Sequence, residues 1–164
     1  LYGILGALSL VRSLFENILL PDIPFLPAGA KPGLSNIAVM FTAYAVSPYG
    51  AVYIMLLKVM FAFVTRGVTA AMMSFSGGAL SILILFLLVK KEGKNYSFIT
   101  IGILCAIAHS IGQLLCCAFI SGTAEVLHYA KYLLIFAIVS GFLTGVILNL
   151  LKGKFTKSTL FEKT

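Results

Sequence analysis

Two polar side chains, His109 and Gln113, stand in the middle of an otherwise apolar stretch and need hydrogen-bonding partners. The stretch runs from Ser97 to Ser121 and holds 25 residues, none formally charged. At about 1.5 Å of rise per residue, a helix of this length crosses a hydrocarbon core about 30 Å thick. Residues four apart lie on one helical face, and unpartnered polar groups are costly at membrane depth. We therefore expect other polar groups to converge on this face.

A lysine in another apolar stretch is a candidate for meeting that face. Lys58 lies in the middle of residues 51–65, and Arg66 follows at the end of the same stretch. A lysine at this depth either extends its ammonium group towards the membrane surface or faces a polar cavity. Both interpretations stay open. In the second, Lys58 and Arg66 would favour an anionic ligand group such as a carboxylate or phosphate.

The elements that must position these residues are predicted membrane spans. The chain is 60% hydrophobic and 10% charged, whereas about a quarter of the residues of a typical soluble domain are charged. We predict an all-α polytopic membrane protein in which residues 1–164 form a single integral membrane domain, a six-transmembrane-helix bundle. The predicted spans are about 1–20, 34–47, 50–66, 68–89, 97–121 and 131–151.

Basic residues set the predicted orientation. Seven of the twelve lysines and arginines lie between the fourth and fifth spans or in the C-terminal tail. With six spans, both places fall on one side of the cell membrane, which the positive-inside rule makes cytoplasmic. Both termini are then expected in the cytoplasm. The proline-rich segment 21–33 is expected to cap the outer end of the bundle, with a plain linker as the alternative.

This orientation places polar residues from four predicted spans in one depth range. A cavity that is mainly apolar but holds a few convergent polar groups is the usual form of a small-molecule site. Gly77 and Gly78 indicate either irregular backbone along that cavity or close helix packing. The candidate substrate-binding residues are Asn36, Lys58, Arg66, Ser74, Ser76, His109 and Gln113.

Enzyme and metal chemistry have little support in the sequence. It contains no glycine-rich phosphate loop, nucleophile elbow, HExxH motif or pair of acidic motifs for magnesium. Cys105, Cys116 and Cys117 all lie in the fifth span and are interpreted as packing residues. His109 could relay a proton or ligate haem, but no second ligand is recognisable. From these missing motifs we predict a protein that is not an enzyme and has no cofactor and no metal. We also predict no nucleic-acid partner, because the basic residues flank apolar spans.

Three co-ordered motifs carry a resemblance to a known family. They are PGLSNI at Pro32–Ile37, SFSGG at Ser74–Gly78 and AHSIGQ at Ala108–Gln113. Their order and spacing resemble the family named both "heptaprenyl diphosphate synthase component I" and "Gx transporter". That family is similar to the substrate-binding S-components of energy-coupling factor (ECF) transporters, which are membrane importers.

The resemblance implies a six-helix S-component-like subunit in the lipid bilayer that captures a small-molecule substrate from outside. It would dock on a transmembrane coupling protein driven by two ATPase subunits, and small residues of the first span, here Gly3 and Ala7, would contact that coupling protein. The substrate class stays open among vitamins, flavins, porphyrins and isoprenoid or quinone precursors. The alternatives are an accessory membrane subunit of a prenyl (heptaprenyl) diphosphate synthase and a free-standing channel or facilitator.

Overall fold

A computed structural model describes residues 36–45, 47–89 and 97–155, together with residues 3, 6, 7, 9–11 and 14 near the N-terminus. The proline-rich segment 21–33 and the basic connection 90–94 lie outside the described residues, as does most of the first predicted span. The regular elements are α1 (Asn36–Ala45), α2 (Pro48–Arg66), α3 (Val68–Val89), α4 (Phe98–Ser121), a 3₁₀ helix (Ala124–Tyr129) and α5 (Ala130–Phe155).

Four of these helices are long and apolar enough to cross a membrane. The qualifying segments are Tyr49–Arg66, Val68–Leu88, Phe98–Ser121 and Ala130–Leu150. The prediction of an all-helical membrane protein is therefore confirmed for the described part of the chain. Helix α1 has 10 residues, which cover about 15 Å, or half of a hydrocarbon core. The predicted count of six spans is not established by these helices.

Local sequence explains where the long helices begin and end. The Ser47 side chain caps α2 by accepting a hydrogen bond from the Tyr49 backbone N–H, and Pro48 occupies the first turn. Gly67, with φ of 86°, is the single residue between α2 and α3. Gly122 adopts the left-handed conformation that ends α4. Short links of this kind make consecutive helices antiparallel neighbours.

Helix α4 lies between α3 and α5, and glycines make both contacts close. A Cβ atom placed on Gly102 of α4 would meet the backbone of Gly141 and Gly145 of α5. On the opposite side, a Cβ on Gly112 would lie 2.6 Å from the Ser76 carbonyl oxygen of α3. Interfaces of small residues let membrane helices approach until their backbones touch. The small residues Gly141 and Gly145 of the last span therefore face α4.

The core around α4 consists of two mainly apolar clusters at different depths. Both include a cysteine, and Cys105 and Cys117 are free and buried. This agrees with their interpretation as packing residues. One cluster comprises Met73, Leu114, Cys117, Val126 and Leu133, and the other comprises Met40, Leu85, Ile101, Cys105 and Leu148.

The glycine pair in α3 does not interrupt the helix. Residues 68–89 are continuously helical, so the expectation of irregular backbone at Gly77 and Gly78 is wrong and the close-packing interpretation is right. A Cβ on Gly77 would lie 2.9 Å from the His109 ring of α4, and one on Gly78 would lie 2.7 Å from Met55 Cγ of α2. Gly77 therefore allows close packing of α3 against α4, and Gly78 allows close packing of α3 against α2.

Candidate functional site

Three antiparallel helices bring four of the predicted site residues to a common depth. Measured from the end of the bundle where α2 and α4 begin and α3 ends, Lys58 lies about 15 Å along α2 and His109 about 17 Å along α4. Ser76 lies about 20 Å along α3, and Gln113 about 22 Å along α4. We call Lys58, Ser76, His109 and Gln113 the polar cluster. It occupies the middle of the spanning segments, where polar groups most need partners.

His109 and Gln113 form a buried pair. They are 4% and 5% exposed, and Gln113 Nε2 lies 3.1 Å from His109 Nε2. An amide nitrogen can only donate, so this arrangement makes Nε2 of a neutral His109 the acceptor and leaves the ring proton on Nδ1. Oε1 of Gln113 is buried and has no hydrogen-bond partner among the described residues, and Nδ1 of His109 makes no hydrogen bond of regular geometry there, although it lies close enough to the Gly77 backbone to interact with it. The pair thus retains one donor and one acceptor.

Helix α3 shapes the space around the His109 ring. The ring packs against the backbone of Gly77, where a Cβ would lie 2.9 Å from both Cε1 and Nδ1. The Ser76 hydroxyl lies 3.1 Å from the Met73 carbonyl oxygen and 2.9 Å from the Gly112 carbonyl oxygen. Its single proton is therefore shared between these two backbone acceptors at the α3–α4 contact. Ser76 can therefore offer a ligand only a lone pair.

Lys58 approaches the same pair from α2. It is 7% exposed, and its charge lies close enough to His109 to interact with it electrostatically. Lys58 also takes part in interactions within the protein. This burial places Lys58 inside the bundle, whereas an ammonium group extended along a lipid-facing surface would be exposed; the predicted cavity stays a prediction. The cluster consequently combines a cation with a hydrogen-bonding pair at one depth.

The remaining predicted site residues lie apart from the cluster or are less fully described. Arg66 ends α2, eight residues after Lys58 and therefore about 12 Å further along the helix axis. Ser74 is half-buried in α3. Asn36 is the first residue of α1, at a backbone depth close to that of Lys58, and its side chain lies outside the described atoms. The structure thus brings together four of the seven predicted residues.

The two small residues predicted to contact a partner lie on one side of the first helical segment. Gly3 and Ala7 are exposed, whereas Gly6 is buried. A Cβ on Gly6 would lie 3.1 Å from Leu57 of α2. Within the described residues, Gly6 therefore faces the bundle, and Gly3 and Ala7 face away from it.

Two grooves open on the outer faces of the bundle, and Lys58, His109 and Gln113 line neither of them. The first has a volume of about 460 Å³ and is formed by α2, α3 and α4. We call it the lateral groove; its lining comprises Val59, Phe63, Val68, Ala71, Met72, Phe75, Ser76 and Cys116. The second, of about 400 Å³, lies between α3 and α4 nearer their other end. Ser76 is the residue that joins the lateral groove to the polar cluster.

The cluster offers little for holding a metal. Within the described ranges, no three His, Cys, Asp or Glu side chains are grouped as metal ligands. His109 supplies one nitrogen, and its neighbours in the cluster are a lysine, a glutamine and a serine. These groups are suited to hydrogen bonding and to charge pairing with an anion.

Sequence reasoning missed Gly112 and did not connect Gly77 with the His109 ring. Gly112 allows the Ser76 backbone to approach α4, and Gly77 accommodates the imidazole ring. Ser9 is 1% exposed, and its hydroxyl has no hydrogen-bond partner among the described residues. The glycines could have been found by asking which small residues share a helix depth with His109. Nothing in the local sequence distinguishes Ser9.

The fold and the site define a helical membrane protein with a polar cluster enclosed between its spans. The chain belongs to the family described as heptaprenyl diphosphate synthase component I, whose pattern matches residues 5–151. This confirms the family resemblance drawn from the three motifs. No curated protein and no solved structure is similar enough to the chain to be counted as a match.

Proposed function

We propose that this protein is a membrane-embedded binding subunit, similar to an ECF S-component, that captures a small anionic amphiphile from outside and has no catalysis of its own. The observation that supports it best is the buried polar cluster. Lys58 lies near a His109–Gln113 pair that retains one donor and one acceptor among the described residues. Buried polar and charged groups in membrane spans commonly mark substrate pathways.

In this proposal the ligand adds contacts to the cluster. A carboxylate or phosphate would pair with Lys58 alongside the interactions that this residue already makes, and it would accept a hydrogen bond from His109 Nδ1, while a ligand hydroxyl or amide would donate to Gln113 Oε1. The ligand's apolar part would contact the surrounding aliphatic side chains. The capture step would be followed by docking on a transmembrane coupling protein and two ATPase subunits, with Gly3 and Ala7 at the contact.

Ligand retention tests the proposal directly. We would purify the protein in mild detergent and identify by mass spectrometry any small molecule that stays bound. Lys58→Met and His109→Ala should each lower the amount retained at least about tenfold, because a hydrogen bond to a charged group contributes about 1.5–3 kcal/mol. Lys131→Met and His128→Ala change the same residue types at exposed positions and should retain the wild-type amount.

Two results of this experiment would contradict the proposal. If the two cluster variants remained monodisperse and retained as much ligand as their controls, the polar cluster would not be the binding site. The absence of any bound molecule after purification from the native membrane, together with no coupling protein or ATPases among co-purifying chains, would oppose the importer role itself.

A second candidate function follows from the family description. The family is named as a component of heptaprenyl diphosphate synthase, so the chain could be an accessory subunit that anchors or supplies a soluble synthase. This alternative predicts co-purification with that synthase and a change in its product length or rate on reconstitution. Recovery of a coupling protein and ATPases in place of the synthase would favour the importer.

A further inference from the structure

The lateral groove has the form of a chain-binding site that opens towards the bilayer. Its walls include four large side chains that are about half exposed: Phe63 at 50%, Val68 at 60%, Met72 at 45% and Phe75 at 49%. Ala71, at 7% exposure, lies between them. The volume of about 460 Å³ lies within the range of small-molecule sites. Because all three contributing helices are membrane-spanning candidates, the medium against this groove is hydrocarbon.

The groove is confined to one half of the membrane. Along α3 it extends from Val68, the first residue, to Ser76, which is a length of about 12 Å. One leaflet contributes about 15 Å to the hydrocarbon core. Cys116, the contribution of α4, lies about 8 Å from the end of that helix at the same side of the bundle. A single lipid chain lying parallel to the helices would match this length and position.

A cation stands at the end of the groove where the membrane surface is expected. Val59, Phe63 and Arg66 follow one another at spacings of four and three residues, so they form one stripe along α2. Arg66 also precedes the groove residue Val68 by two positions. Its guanidinium group carries five N–H donors, enough to keep an interaction within the protein and bind a phosphate group as well.

We propose that the lateral groove binds one acyl chain of an anionic membrane phospholipid whose phosphate headgroup lies beside Arg66. An apolar groove within one leaflet and a cation at its surface end together match an anionic amphiphile already present in the bilayer. This lipid site shares only Ser76 with the polar cluster and uses neither Lys58 nor the His109–Gln113 pair, so it does not depend on the function proposed above.

A single tryptophan provides the test, because the natural sequence contains none. Phe75→Trp places a fluorophore in the groove wall, and the full-length variant is reconstituted in phosphatidylcholine vesicles. Quenching is then measured with phosphatidylglycerol or phosphatidylcholine carrying a dibrominated acyl chain. Half-maximal quenching should need about fivefold less phosphatidylglycerol than phosphatidylcholine, the preference expected from one basic residue near an anionic headgroup.

Matched variants distinguish lipid binding in the lateral groove from contact of lipids with the rest of the membrane-facing surface. Leu115→Trp lies at a similar depth on α4, is 57% exposed in the wild type and does not line the groove, so it should show no preference. In the Phe75→Trp background, Arg66→Gln should abolish the preference and Arg66→Lys should keep part of it. Lys58→Met should leave it unchanged, which distinguishes this site from the polar cluster.

Four results would overturn the proposal. The first two are equal quenching of Phe75→Trp by both lipids, and the same preference for phosphatidylglycerol at Leu115→Trp. The third is a preference for phosphatidylglycerol that survives Arg66→Gln. The fourth is no quenching of Phe75→Trp, because a second copy of the chain covers the groove. The phospholipid assignment would also be wrong if unbrominated farnesyl diphosphate restored fluorescence at a lower concentration than unbrominated phosphatidylglycerol. Size-exclusion chromatography of each variant shows whether it has folded. Where Arg66→Gln has not folded, Arg66→Lys is compared with the wild-type arginine, and an unreduced preference would overturn the proposal.

Discussion

At the scale of single residues, the imidazole of His109 depends on groups from two helices. Gln113 provides a hydrogen-bond partner one turn away on α4, at 3.1 Å. Gly77 on α3 provides the space for the ring by lacking a side chain. A polar ring in the middle of a membrane span is stable only where both requirements are met, because lipid offers no hydrogen bonds. The position of His109 is therefore a property of the α3–α4 pair.

The His109–Gln113 hydrogen bond should be measurable as a coupling energy. Gln113→Leu leaves Nε2 of His109 buried without a donor, which should cost about 1–3 kcal/mol of unfolding free energy. Adding His109→Leu removes the orphaned group, so the double variant should be more stable than the sum of the single variants predicts, by about 0.5–3 kcal/mol. Denaturation in mixed micelles would provide the unfolding free energies of the wild type, the two single variants and the double variant. Strict additivity would mean that the two side chains do not interact.

At the scale of helices, three glycines fix the distance between α4 and α5. Cβ atoms on Gly102, Gly141 and Gly145 would each meet backbone atoms of the facing helix. Backbone atoms cannot move aside as the end of a flexible side chain can. Any added methyl group must therefore separate the helices.

Gly145→Ala should accordingly destabilise the protein by about 1–3 kcal/mol, the usual cost of overpacking. The new methyl group would meet Ile99 Cα and the Phe98 carbonyl oxygen. Gly3→Ala is the control, because nothing lies within 4 Å of its Cβ position, and it should be neutral or slightly stabilising. Thermal unfolding in detergent would compare them. A Gly145→Ala protein as stable as Gly3→Ala would show that α4 and α5 are less close than described.

At the scale of the whole molecule, the antiparallel order of the helices determines which loops share a side. Helix α3 ends, α4 begins and α5 ends at one end of the bundle, while residues 122–129 lie at the other. The ends of α3 and α5, which the basic residues follow in the sequence, therefore lie on the same side. The positive-inside rule predicts that this side is cytoplasmic, and the orientation stays a prediction.

Labelling of introduced cysteines should reveal this orientation. In a background without the three natural cysteines, Thr123→Cys should react with a membrane-impermeant maleimide added to whole cells. Ser97→Cys, equally exposed in the structure, should react only after the membrane is opened. The reverse pattern would place the lysine-rich ends outside, and labelling of both sites in intact cells would contradict the antiparallel path of α4.

The sequence alone determined the class of the protein, because membrane insertion depends on the length and polarity of each segment, which are local properties. The uncharged run around His109 and the apolar run at residues 68–89 identify spanning helices without knowledge of their neighbours. Sequence reasoning also identified Lys58, His109 and Gln113 as groups that need partners, since lipid cannot supply them.

Only the tertiary structure decided which of those groups meet. The rotation of each helix about its axis turns Gly77 to His109 and Gly78 to Met55, and it engages the Ser76 proton with the Gly112 carbonyl oxygen. Rotation depends on how the surfaces of two helices fit together, and neither sequence segment contains that information by itself.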